Sequence, residues 1–239
     1  MSIPRPDSPD GRHSDAVVGT ILVVTSILVI ALILHHPTGR GHDFQEFTRQ
    51  LHTIHDLNQA VHGTGILMMC VLACCFNEVC NKLVKTFIAQ LACGMYLLGS
   101  AGMILAALVS GFVVPNFAFH FSVEHDGQAQ TLEAIVHALR SFNHSGYQLG
   151  VVGLSLAVFL LSLAILRQTQ SRILGWGGLI VGALGIIGLQ TKWFAPSIQG
   201  VLLFFTLQAM WNTSLGMLLM RRSLGTTIGE ESDNRGRNT

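Results

Sequence analysis

Residues 16–34 read AVVGTILVVTSILVIALIL, nineteen positions with no charged side chain. The hydrocarbon core of a bilayer takes roughly 20 mostly apolar residues per helix, so this stretch reads as a membrane span. It outruns the apolar core of a secretory signal and exits through Leu34-His35-His36-Pro37 rather than a small-x-small cleavage site, which predicts a retained anchor. Five further runs of the same kind follow, at about 60–80, 86–114, 145–166, 173–191 and 197–220. Backbone groups find no water inside lipid, so each run must satisfy its own hydrogen bonds as a helix. Alternating ten-residue barrel strands do not occur. The expectation is an all-α polytopic integral membrane protein with six transmembrane helices.

The whole-chain composition agrees. Half of the 239 residues are hydrophobic and only 11% are charged, against about 25% in soluble domains, and mean hydropathy is +0.51. Polar disorder, collagen and a disulfide-stapled secreted domain are excluded. A formal net charge of +1 offers no basic footprint for nucleic acid. The expected partner is the lipid bilayer itself.

Orientation follows from the basic residues. With the N-terminus inside, the inner segments hold ten of the fourteen Lys and Arg, and the outer segments hold only Arg40, Arg49, Arg140 and Lys192. That positive-inside bias predicts both termini in the cytoplasm, in a bacterial inner membrane. Residues 1–15 and 223–239 are polar and lack apolar periodicity, so both tails are expected to be disordered around a transmembrane domain at 16–222. Cys70, Cys74, Cys75, Cys80 and Cys93 lie in or at the inner end of the second and third spans, which offers no outer disulfide framework. A metal pair at Cys75 and Cys80 is the alternative use, with His13 alone among the histidines on that side.

Ten of the eleven histidines fall on the outer half of this topology. Two outer loops carry them in similar order. His42-Asp43-x-Gln45-x-x-Thr48, His55-x-Leu57 and His62 correspond to His125-Asp126-x-Gln128-x-x-Thr131, His137-x-Leu139 and His144. The correspondence suggests two parallel two-helix repeats, about 16–80 and 86–166, followed by a closing pair at 173–220. Each loop opens on a proline, Pro37 or Pro115. Phe44, Phe47, Leu51, Ile54 and Leu57 recur at three and four, the mark of an amphipathic helix continuing outward from the second span.

Residues equivalent under a repeat axis lie at one depth. His62 and His144 are therefore candidate axial ligands of a b-type haem, with His55 and His137 two turns further out as a second cofactor-binding layer. Neutral imidazole also suits copper and zinc. A non-haem site would draw on His52, His55, His125 and His137, with Asp43 and Asp126 as ligands or orienting partners. A covalent c-type haem string and the His-Glu-x-x-His string are both missing. The functional expectation is cofactor or metal binding on the periplasmic side, with electron transfer beside other membrane redox subunits. The alternative is a non-enzymatic role in transport, assembly or pH sensing with no bound cofactor, the histidines being solvated interfacial groups.

Small residues form packing seams: Gly102, Ala106 and Ser110 on the third span, Gly146, Gly150, Gly153 and Ala157 on the fourth, and Gly175, Gly178, Gly182 and Gly185 on the fifth. Gln208 and Asn212 share a face of the sixth, for interhelical hydrogen bonds or a quinone or substrate pocket. Trp176 and Trp193 are expected as interfacial anchors, and Glu78 as the partner of Lys82.

Overall fold

The computed structural model describes residues 9–36, 44–82, 86–120, 126–168, 171–194 and 197–236. Its regular elements are α1 (Pro9–Leu34), α2 (Phe44–Thr53), α3 (His55–Lys82), α4 (Phe87–Leu108), a π-helical turn (Val109–Val113), α5 (Val114–His120), α6 (Asp126–Gln168), α7 (Arg172–Gln190) and α8 (Ile198–Gly236). No strand occurs among the described residues. Six stretches are long and apolar enough to cross a membrane: Ser14–Leu34, His55–Lys82, Phe87–Ala118, Gln130–Arg167, Arg172–Gln190 and Ile198–Arg221. This is the pattern of a multi-pass membrane protein, and each stretch overlaps one of the six apolar runs.

Glycine sets how closely the helices approach, because in lipid small residues are what let two backbones meet. A Cβ on Gly102 would stand 2.7 Å from the Gly146 carbonyl oxygen and 2.7 Å from the Gly150 nitrogen, so α4 and α6 lie backbone to backbone. Gly99 and Gly153 continue that seam. Gly178 and Gly185 of α7 leave room for the Ser162 and Ser155 hydroxyls of α6. The third crossing has no counterpart in the sequence-derived seams. Gly19 of α1 and Gly216 of α8 each face the other's carbonyl oxygen, and they join the first helix to the last.

That crossing bears on the repeat. Two like units would pack α1 on α3 as α4 packs on α6. Instead α1 packs chiefly on α8, and α3 lies mainly against α4. One glycine on each of α1 and α8 is enough to create the seam, whereas a repeat is sought as a series of matching residues.

Helix α1 begins at Pro9 and α8 continues to Gly236, so both helices extend past their apolar runs. A helix already nucleated adds one hydrogen bond per further residue, which can carry it past the apolar run. Lys82 ties the C-terminal end of α3 to α1 through Asp15 (2.5 Å) and Ser14 Oγ (3.0 Å), and pairs with Glu78 at 3.4 Å. At the other end of α3, the amphipathic run breaks at Ile54 into α2 and α3. Leu51 of α2 then joins Val109, Val114, Leu132 and Val136 in a second, smaller core. Arg140 of α6 caps it, 4.3 Å over the Phe47 ring. With 43 residues, α6 is about 65 Å long, roughly twice the thickness of a bilayer's hydrocarbon core.

Candidate functional site

The site starts from a helix fault. Pro115 lies inside the third span's continuation, not at the start of a loop. Proline has no N–H, so residue 115 cannot donate to either carbonyl that a normal or widened turn would offer it, Gly111 or Ser110. Helix α4 responds with the π turn, in which the Val114 N–H reaches back to the Val109 carbonyl. The two stranded carbonyls are met from another helix. Asn58 of α3, 4% exposed, donates from Nδ2 to Ser110 O at 3.1 Å and to Gly111 O at 3.3 Å. Buried carbonyls left unpaired would be costly, and this pairing pins α3 to the fault. Single π turns of this kind recur at functional sites.

One turn beyond Asn58 stands His62. Gly111 has no side chain to obstruct it, since a Cβ there would collide with His62 Cβ. His62 Nδ1 is 2.9 Å from the Asn58 carbonyl oxygen. A carbonyl only accepts, so Nδ1 carries the proton, and in the neutral ring Nε2 presents a lone pair. That atom lies 3.0 Å from Ser110 Oγ and 3.3 Å from His36 Nε2. The Ser110 hydroxyl has a second acceptor, Ala106 O at 2.8 Å. Two donors thus compete for one lone pair, and either can turn to a third molecule.

His36, His62 and Ser110 line a cavity of about 290 Å³ formed between α1, α3, α4, α6 and α8. Pockets for small ligands run from about 300 to 1,000 Å³, mostly apolar with a few placed polar groups. Val29, Met69, Met103 and Phe205 supply apolar wall here. Among the described lining residues none is Asp, Glu, Lys or Arg. A neutral guest is favoured, since a charged one would meet no fixed counter-charge. Tyr147 of α6 also lines the cavity. Its hydroxyl is buried and has no hydrogen-bond partner among the described residues. Such a group costs roughly 1–3 kcal/mol unless something completes it.

A much smaller void of about 10 Å³ lies deeper, bordered by Ser26, Gln208 and Asn212, with room for about one water molecule. It shares Val29, Met69 and Phe205 with the larger cavity. The interhelical bonds expected of Gln208 and Asn212 are not made by Gln208 Nε2 or Asn212 Oδ1, which have no partner among the described residues.

The structure separates the histidines that the sequence grouped. Helix α3 holds both His55 and His62, and α6 holds both His137 and His144, as continuous helices. Only His62 of these four reaches the cavity. His144 is exposed on α6 and lies 3.0 Å from Gln148 Nε2. His137 is exposed and lies 3.7 Å from Glu133. The break at Ile54 puts His52 on α2 and His55 on α3, so they no longer share one helical face. His42, Asp43 and His125 lie outside the described residues. Among the described residues no group of three or more His, Cys, Asp or Glu is placed to hold a metal ion. All five cysteines are free. Trp176 and Trp193 are exposed near opposite ends of α7, as interfacial anchors would be.

His36, Ser110, Asn58 and Tyr147 were the members of the site not singled out for it. Asn58 carried a signal, a polar residue four before His62 on the same face. Pro115 four after Gly111 carried another. Tyr147 has none, because an inward-facing ring looks the same whether or not its hydroxyl has a task. Comparison of the chain with protein-family models, curated proteins and solved structures finds no match.

The orphan hydroxyl gives a test with two opposite signs. Tyr147→Phe should raise the melting temperature of the ligand-free protein by a few degrees, because a buried unpartnered group is removed. The same change should weaken, by up to about tenfold, binding of any guest that bonds to the Tyr147 hydroxyl. Thermal melts with and without such a guest check both.

Proposed function

We propose that the chain is a multi-pass protein of the bacterial inner membrane, termini inside, that binds a small neutral lipid-soluble ligand in the cavity beside His62. The ligand class is a ring or chain with a carbonyl or hydroxyl head, to which membrane quinones belong. The observation that carries this reading is the polar end of an otherwise apolar cavity. It combines an acceptor nitrogen fixed in its tautomer, a hydroxyl free to rotate, a second imidazole and an unpartnered tyrosine. The excess of Lys and Arg on the opposite side supports an outward-facing site. An ionisable side chain retained at membrane depth is itself a mark of function.

A transition metal on His36 and His62 is the second reading. Two Zn–N bonds of about 2.0–2.1 Å at a tetrahedral angle place their nitrogens about 3.3 Å apart, and the two Nε2 atoms are 3.3 Å apart. The Asn58 carbonyl on Nδ1 is the kind of outer partner that orients a ligating imidazole. A haem is less well served. His144 faces away from the cavity, and a macrocycle cannot pass between His36 and His62, whose rings meet edge to face at 4.8 Å.

The test is to purify the protein from membranes in mild detergent, extract it with organic solvent, and measure absorption and metal content of the same sample. A stoichiometric extractable quinone or similar lipid supports the first reading. Stoichiometric copper or zinc supports the second. A Soret band would contradict both.

A further inference from the structure

At the other end of the molecule, α7 and α8 separate around a groove of about 730 Å³. Ile173, Val181, Met210, Met217 and Leu218 make its walls apolar. Arg172, the first residue of α7, and Arg221, where the last span ends, both line it. The helices are consecutive and antiparallel, so both guanidinium groups belong to the same end of the bundle. Both residues are exposed, and neither has a carboxylate partner among the described ion pairs. A Cβ on Gly177, which also lines the groove, would meet nothing within 4 Å. An apolar trough that ends in two arginines without a carboxylate partner among the described residues is complementary to a molecule with an acyl chain and an anionic head.

We propose that this groove holds one anionic phospholipid of the inner leaflet, its phosphate held between Arg172 and Arg221 and an acyl chain lying over Gly177 and Val181. Arginine presents a planar fork that matches phosphate oxygens two at a time. Basic pockets between helices on the cytoplasmic side are where such lipids are recognised. The assignment rests on the membrane orientation proposed above but not on the outer cavity. It would add to the bond from Trp211 Nε1 of α8 to the Leu174 carbonyl of α7 (3.3 Å) beside the groove.

The experiment is reconstitution of the full chain into nanodiscs of phosphatidylcholine with a minor fraction of phosphatidylglycerol, followed by native mass spectrometry of the lipids retained. The wild type should retain phosphatidylglycerol preferentially. R172Q/R221Q should lower that preference about fivefold per charge removed. Gly177→Leu, which fills the trough and keeps both arginines, should lower it as well, and it guards against a folding defect in the charge variant. Equal retention of the two lipids by the wild type, or a preference untouched in both variants, would overturn the proposal. A chain that fails to enter nanodiscs at all would instead overturn the membrane reading, and the lipid site with it.

Discussion

Replacing His62 with alanine is expected to weaken binding of a short-chain quinone by about tenfold or more, with little change in the helical content of the protein. The loss has two parts. The acceptor nitrogen disappears, which costs roughly 0.5–1.5 kcal/mol for a neutral hydrogen bond. His36 and Ser110 also lose the atom that positions them, since both face His62 Nε2. His62→Gln should restore part of the affinity, because an amide oxygen accepts from the same direction. His144→Ala is the decisive companion. That ring is exposed and lies against Gln148, so the account expects no change in binding. Equal losses in the two alanine variants would return the case to a paired His62/His144 site. Titration of the three variants in one detergent makes the comparison.

The second large effect concerns the scaffold. Gly102→Leu should lower the apparent melting temperature by about 2–12 °C, or prevent recovery of a monodisperse protein. The new side chain would meet Gly146 O and Gly150 N, both 2.7 Å from its Cβ. These are backbone atoms of a neighbouring helix and cannot step aside as a side chain would. Overpacking costs about 1–3 kcal/mol, and each kcal/mol is worth roughly 2–4 °C in a chain of this size. Gly94→Ala is the control. A Cβ there meets nothing within 4 Å, and the change removes helix-disfavouring backbone freedom, so stability should hold or rise. A fluorescence-detected melt of the three proteins decides it.

These two effects divide along what the sequence disclosed. The spans were legible because lipid imposes one simple rule, and the Leu- and Val-rich runs obey it. The Gly146–Gly153 and Gly175–Gly185 seams were legible because small residues at helical spacing have few other uses. The site was only half legible. His62 stands out as an imidazole at membrane depth, but its partner was sought by sequence symmetry. The structure chose it by chain geometry instead: a turn just past α1, with the His36 N–H on Ile33 O at 3.1 Å, leaves His36 beside His62. A pairing across 26 residues with no repeat behind it leaves no pattern to read. The π turn was missed for a related reason. Pro115 looked like the end of a span, because proline inside a helix normally breaks it. Asn58, from a different helix, removes that penalty by serving the carbonyls the proline cannot. Local rules fail where a distant side chain supplies the missing bond.

The most direct check on the ligand cavity is where a photoreactive short-chain quinone attaches when irradiated with the purified full-length protein. Peptide mapping should place the adducts on the segments carrying His36, His62 and Tyr147, and unlabelled quinone should suppress them. Labelling spread evenly over lipid-facing α1 and α7, and unaffected by competitor, would contradict the assignment of that cavity as a binding site.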